Sequence, residues 1–209
     1  MRFFSDYNFH NLLGEKIGSG TEKICYLSKV NPCHCFKVGL KGNCSQIKRE
    51  VDYFNWLKKK GIRASFLPEY YGEFETETYV GYEQECILEK KRGGGYDSVE
   101  LLWDAIANPN NSIEEIEKEL IDLKREQMET NVICGDFHGG NIYRVRQGNT
   151  FKLMIIDGVG VPEFIPISKM FRFFGKRKIE RQWKKFEERR LKGYYQARYS
   201  SIAKKATNE

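Results

Sequence analysis

Apolar and polar positions along the chain separate into two regimes. Ile47, Val51, Phe54 and Leu57 recur at three- and four-residue spacing across residues 45–57, the period of an amphipathic helix. Ser45 stands where an N-cap would, and Gly61 where the chain would leave the helix. Ahead of that helix, residues 12–27 read as strand, glycine turn, strand, and residues 35–38 as a short strand holding one lysine, Lys37. Behind it, residues 69–74 and 78–89 read as two antiparallel strands that close a five-stranded sheet. The pattern then turns helical. Residues 98–107 predict a short helix stopped at Asn108-Pro109. Ser112 and Glu115 form a capping box, after which Ile113, Ile116, Leu120 and Leu123 mark one buried face. Residues 141–145 and 151–156 alternate around a turn at 146–149, a β-hairpin. Residues 168–192 predict one or two helices that mix Phe171, Phe174, Trp183 and Phe186 with lysine and arginine. The sum is an α+β chain: a small antiparallel β lobe with one helix, then an abbreviated, mainly helical lobe. Lys90-Lys91-Arg92-Gly93-Gly94-Gly95 reads as the linker, giving lobes at residues 10–91 and 92–209.

Length and composition fit that picture. The 209 residues suffice for one sizeable core or two small lobes, with ordinary apolar and charged fractions. No apolar run is long enough for a signal peptide or a membrane span, so the expected compartment is the cytoplasm, where six cysteines stay reduced. Cys33-His34-Cys35 followed by Cys44 could be read as a partial zinc site, but the spacing is against it, because adjacent strand residues face opposite sides and no second close ligand pair follows. Charge is unevenly placed. The net +6 divides into +10 over residues 169–209, with 14 Lys/Arg against 4 Asp/Glu, and −4 over the remainder. A basic C-terminal region is first of all a solvated helix surface; as a functional surface it suits an anionic acceptor, an acidic protein or a membrane surface. Nucleic acid ranks below these, because no nucleic-acid-binding motif accompanies the charge.

Candidate chemistry concentrates in residues 132–158. Val132-Ile133-Cys134 leads into Gly135-Asp136-Phe137-His138-Gly139-Gly140-Asn141, and Met154-Ile155-Ile156 leads into Asp157-Gly158. A hairpin accounts for the strands but not for Asp136 before it or Asp157 after it. Two carboxylates and an amide are what a magnesium-dependent phosphoryl-transfer site needs: Asp136 to take the proton of an attacking hydroxyl, Asn141 and Asp157 as hard oxygen ligands. Upstream, Gly18-Ser19-Gly20 forms a small-residue turn of the kind that brings backbone N–H groups close to phosphate. Glu50 lies beside the apolar stripe of its helix, from which it can lean towards Lys37 and hold that ammonium on the phosphates of a nucleotide.

The order of these features resembles kinase-fold phosphotransferases. Cys-Gly-Asp-Phe-His-Gly-Gly-Asn is similar to their His-Gly-Asp-x-His-x-x-Asn catalytic loop, and Ile-Ile-Asp-Gly to their metal-binding Asp. As a whole the chain most resembles the PhoP regulatory network protein YrbL family, small bacterial proteins with a protein-kinase-like fold, and more distantly lipopolysaccharide core sugar kinases and aminoglycoside-type phosphotransferases. The resemblance implies ATP and Mg²⁺ as cofactors, and an acceptor in a bacterial regulatory or envelope pathway. It assigns Asp136, Lys37 and Glu50 to catalysis, Gly18, Ser19, Gly20, Lys37, Glu89 and Lys91 to nucleotide, and Asn141 and Asp157 to metal. Leu88 would guard the adenine pocket. Departures accompany it. Lys23 stands where a third loop glycine belongs, Cys134 and Gly135 replace His and Arg, and no Phe follows Asp157. Pro162-Glu163 lies too close to Gly158 to close an activation segment of protein-kinase type. His138 is expected to brace the loop. The alternative is a regulatory pseudokinase that binds nucleotide or a partner without turnover.

Overall fold

The computed structural model describes residues 1–160 and 171–206, and within them the side chains up to Tyr199 except Arg190. Pro162-Glu163 and the start of the helix expected from residue 168 lie outside the described residues. The chain divides into two compact units, residues 1–63 with 67–98, and residues 64–66 with 99–209.

The first unit is a six-stranded sheet with a helix on each face. Its strands are β1 (Arg2–Phe3), β2 (Leu13–Ser19), β3 (Ile24–Ser28), β4 (His34–Leu40), β5 (Tyr70–Glu75) and β6 (Tyr79–Glu85), in the order β1-β5-β6-β4-β3-β2. The β1–β5 pair is parallel and the other pairs are antiparallel. The hydrophobic pattern led to five strands; β1 adds a sixth, a two-residue segment too short to leave a period in the sequence. Helix α1 (Asp6–Leu12) also escaped that pattern, since its seven residues offer one fully buried anchor, Phe9. Phe9 packs on Phe36, Val38 and Phe74, with its ring centroid 4.4 Å from that of Phe74. Alternation along β4 therefore sends Phe36 and Val38 to the α1 face and Cys35, Lys37 and Gly39 to the other.

That other face receives α2 (Ser45–Lys60), whose buried residues include Ile47, Val51, Phe54 and Leu57, the predicted stripe. A Cβ at Gly39 would meet Ile47 Cδ1 at 2.6 Å, which is how closely helix and sheet approach. Gly61, in the left-handed conformation, ends the helix as expected. Ser45 is not the N-cap. That position falls to Cys44, which makes no side-chain cap, and the helix start is instead held from outside by Glu22. Its carboxylate accepts from the Gln46 N–H at 2.8 Å and from the Ser45 hydroxyl, and the first of these chiefly lowers its pKa.

The segment read as a linker is folded. Lys90–Arg92 forms a 3-10 turn closed by Gly93 in the left-handed region, and Glu89 bridges to Tyr96. Gly94 has no room for a side chain, because a Cβ there would lie 2.0 Å from the Leu88 carbonyl oxygen.

The second unit has a three-stranded sheet in the order β7-β8-β9, from β7 (Ser98–Leu101), β8 (Ile142–Gln147) and β9 (Thr150–Ile155). Residues 98–101 were expected to be helical; they are extended and pair in this sheet, and α3 (Leu102–Ala107) starts only after them. Helix α4 (Ile113–Thr130) is capped by Ser112, which accepts from the Glu115 N–H, and buries Ile113, Ile116, Leu120 and Leu123. The hairpin turns at Gly148 (φ 60°) between β8 and β9. Helix α5 (Arg172–Phe186) passes through a π-helical stretch, Glu187–Leu191, into α6 (Lys192–Ala206). Arg198 ties α6 down by donating to the carbonyls of Ile106 and Asn111, each at 2.8 Å. No helix among the described residues is long and apolar enough to cross a membrane.

Candidate active site

Helix α4 delivers the chain to the loop through Asn131, which takes a left-handed conformation (φ 58°). The β-branched pair Val132 and Ile133 and the following Cys134 are then fully buried. The returning stretch after β9 lies alongside: Gly135 donates to the Gly158 carbonyl at 2.6 Å, and Gly160 to that of Ile133 at 2.8 Å. Asp136 is brought against Gly158 in this way. A Cβ on Gly158 would stand 2.8 Å from the Asp136 Cβ, and its φ of 73° disfavours any other residue. Glycine after Asp157 is thus set by the backbone of the loop it touches.

Asp136 is largely exposed at its carboxylate. The Asn141 amide donates to the Asp136 carbonyl at 3.1 Å and to its carboxylate at 3.2 Å. His138 Nε2 lies 3.3 Å from the same carboxylate, while its Nδ1 accepts from the Gly140 N–H at 3.1 Å. That acceptor role puts the proton of a neutral ring on Nε2, facing Asp136. His138 braces the loop, as expected. Asn141 accepts at its carbonyl from the Ile156 N–H, so it sits across the hairpin from the residue preceding Asp157. Asp157 Oδ1 accepts from the Gly158 N–H at 2.9 Å. The unit therefore gathers Asp136, Asn141 and the start of the Asp157 turn within one hairpin end.

The donor set fits a magnesium ion. Asn141 spends its amide nitrogen on Asp136, which leaves the amide oxygen as a ligand, and Asp157 supplies a carboxylate of the hard type this cation prefers. Among the described residues no group of three or more His, Cys, Asp and Glu could hold a metal. Two protein ligands are ordinary for magnesium, which keeps much of its water and binds through substrate phosphates.

The loop rests on residues whose part the sequence did not announce. Phe137 packs on Trp183 and Phe186 at 4.8 and 5.0 Å between centroids. Gln182 donates to the Cys134 carbonyl at 2.6 Å, and the Trp183 indole N–H to Gln127 at 2.7 Å. A Cβ at Gly139 would strike the Trp103 ring at 2.2 Å. The one available signal was the spacing of Ile179, Trp183 and Phe186 along α5. Burial pushes the Cys134 thiol up to about 12, hence it is unionised.

In the first unit, Gly18 and Ser19, expected in the turn, end β2 paired with Cys25 and Ile24, and Gly20 opens the turn to β3 by donating to the Lys23 carbonyl at 2.8 Å. The carboxylate of Glu50, 1% exposed, does not pair with Lys37: its partners are the Lys23 ammonium at 2.7 and 2.8 Å, the Tyr82 hydroxyl at 2.8 Å and the Gln46 amide at 3.2 Å. Spacing alone pointed to Lys37, whereas the turn carries Lys23 inward from a nearer strand end. Lys37 remains on the same sheet face, its Nζ 5.7 Å from the Tyr82 ring. Glu89 and Lys91 lie in the folded segment, where they pair with one another at 2.5 Å. The Glu89 carbonyl accepts from the N–H groups of Arg92 and Gly94.

The family description "PhoP regulatory network protein YrbL" matches residues 12–191, most of the chain. The chain belongs to the YrbL family. The YrbL proteins of Escherichia coli (strain K12) and Shigella flexneri are each 25% identical to it over 176 residues, covering 81% of this chain and 82% of theirs. Among solved structures it is similar to the BubR1 kinase domain, with a TM-score of 0.45 and 13% identity over 71% of this chain and 46% of that one.

Proposed function

We propose that this YrbL-family chain is an ATP- and Mg²⁺-dependent phosphotransferase acting on an acceptor in a bacterial regulatory or envelope pathway. The observation that carries the reading is the loop built around Asp136: an exposed carboxylate oriented by Asn141 and His138 and packed against the Asp157-Gly158 turn. In this reading Asp136 orients the acceptor hydroxyl and takes its proton, and Lys37 with the Gly18–Gly20 stretch positions the phosphates. Asn141 and Asp157 hold the metal, which when bound neutralises charge on the phosphates. Catalysis is then mainly positioning and electrostatics. Incubation with radiolabelled ATP and candidate sugar and protein acceptors tests it. Label transfer that falls by orders of magnitude in Asp136→Ala supports the reading; transfer unchanged by that substitution overturns it.

One observation favours a second reading, a regulatory pseudokinase. Lys23 occupies the position of a third loop glycine and spends its ammonium on the glutamate assigned to Lys37. A chain of that kind binds nucleotide, or only a partner, without turnover. Thermal unfolding with Mg²⁺–ATP separates the cases, because a ligand that prefers the folded state raises the midpoint. A shift without transfer to any acceptor favours the pseudokinase.

A further inference from the structure

Helix α5 buries Gly175, Ile179, Trp183 and Phe186, which places one stripe of the helix against the unit's core. At 100° per residue the opposite stripe holds Phe173, Phe174, Arg177, Arg181, Lys184 and Lys185, all exposed. Phe171, Phe173 and Phe174 are 56, 62 and 51% exposed, a concentration of apolar surface that a solvated helix face does not need. Their rings meet edge to face, Phe171 on Phe174 at 77° and Phe173 on Phe174 at 80°, so they form a compact knob. Behind the knob the helix and the following turn are basic, with eight Lys/Arg against three Glu over residues 171–189. Arg177 lies with its guanidinium 5.3 Å from the Phe173 ring, at the border between the two.

We infer that this face of α5 docks on an anionic lipid bilayer, the phenylalanine knob entering the acyl boundary and Arg177, Arg181, Lys184 and Lys185 meeting the headgroup phosphates. An apolar tip flanked by cations is the composition of an interfacial helix, in which long basic side chains lie along the apolar zone and keep their charges among the phosphates. Two alternatives fit less well. Single-stranded nucleic acid stacks on flat, accessible ring faces, and these rings cover one another's faces with edges. An acidic protein would need a cavity shaped for the knob, whereas a bilayer needs only fluid chains beneath negative headgroups. The inference is independent of phosphotransfer, since it uses no residue assigned to that chemistry.

Sedimentation of the full chain with vesicles tests it. Binding is expected to vesicles of phosphatidylcholine with a third phosphatidylglycerol, not to phosphatidylcholine alone, and to weaken as salt rises. At roughly 1 kcal/mol per basic residue near the surface, Arg177→Gln, Arg181→Gln and Lys184→Gln together lower partitioning about 100-fold. Phe173→Ser with Phe174→Ser abolishes it at moderate salt without moving the thermal midpoint, because both side chains are exposed. In a Phe173→Trp variant, brominated acyl chains quench fluorescence beyond the level seen with the native tryptophans. Absence of binding to anionic vesicles overturns the inference. So does binding that the serine variant retains and that single-stranded DNA or an acidic polypeptide competes away, since that behaviour marks simple charge attraction.

Discussion

Lys23 and Glu50 form a buried ion pair between the β2–β3 turn and helix α2, with 7 and 1% side-chain exposure and two N···O distances of 2.7 and 2.8 Å. A pair so far from water offers little net stability against an apolar replacement, but removing one partner strands the other charge. Lys23→Met is expected to cost about 3 kcal/mol in urea unfolding. Adding Glu50→Gln to it should recover part of that loss, a non-additivity that a double-mutant cycle reads directly. Two losses that simply add would show that the residues do not interact.

A second buried cation gives an independent check in the other unit. The Arg144 side chain, 2% exposed, is held by Glu119 through Nε at 2.8 Å and Nη2 at 2.7 Å, with Phe151 stacked at 3.9 Å. Burial lowers the guanidinium pKa, but the hydrogen bond and charge of Glu119, with the charges of Glu115 and Glu100, together outweigh it and the net direction is upward, so the charge persists at every usable pH. Glu119→Ala should therefore leave an ionised, unpaired arginine in the core and cost about 3–5 kcal/mol. Exposed Glu115, 3.5 Å from the same guanidinium, should cost less than ~1 kcal/mol on the same change.

Which of these contacts could be read from the chain follows from period. The α2 stripe, the α4 stripe and the β8–β9 hairpin repeat often enough to be legible, and the candidate-site residues of the loop stand out by type and order. Lys23 does not: its inward direction depends on the register shifts between β2 and β3, which a glycine-rich turn leaves open. Glu22 capping α2 from another element is invisible for the same reason, since Ser45 was a satisfactory local candidate. Along α5 the aromatic residues looked alike in sequence, yet Trp183 and Phe186 support the loop and Phe171 and Phe174 face outward. Only the three-dimensional packing of that helix distinguishes them.

The attachment of α1 should be acid-sensitive. Hydrogen bonds from the Thr76 and Thr78 hydroxyls lower the Asp6 pKa from 3.8 to about 2. A carboxylate depressed in the folded state contributes stability that is complete above its unfolded pKa and is lost as pH falls through its folded value. The window is therefore roughly pH 4 down to 2. The protection factor of the Thr78 amide, whose N–H donates to Asp6, should fall across that range ahead of those of the sheet core. Asp6→Asn should start from lower protection and show a flatter acid dependence over the same window.

Gly158 offers the sharpest test of how the candidate site is assembled, because two effects there can be separated. Its φ of 73° alone strains any L residue, by about 1–2 kcal/mol. A Cβ would in addition lie 2.8 Å from the Asp136 Cβ and 3.1 Å from its backbone nitrogen. Gly148, in the hairpin turn, has a similar φ of 60° and nothing within 4 Å of an added Cβ, so it isolates the conformational cost. Gly148→Ala should lose only that cost in urea unfolding. Gly158→Ala should lose more, and it should also displace Asp136, lowering any phosphotransfer far beyond what its stability loss explains. Equal losses at the two positions, with activity intact at 158, would mean that Asp136 tolerates the displacement and that the close approach has no part in positioning it.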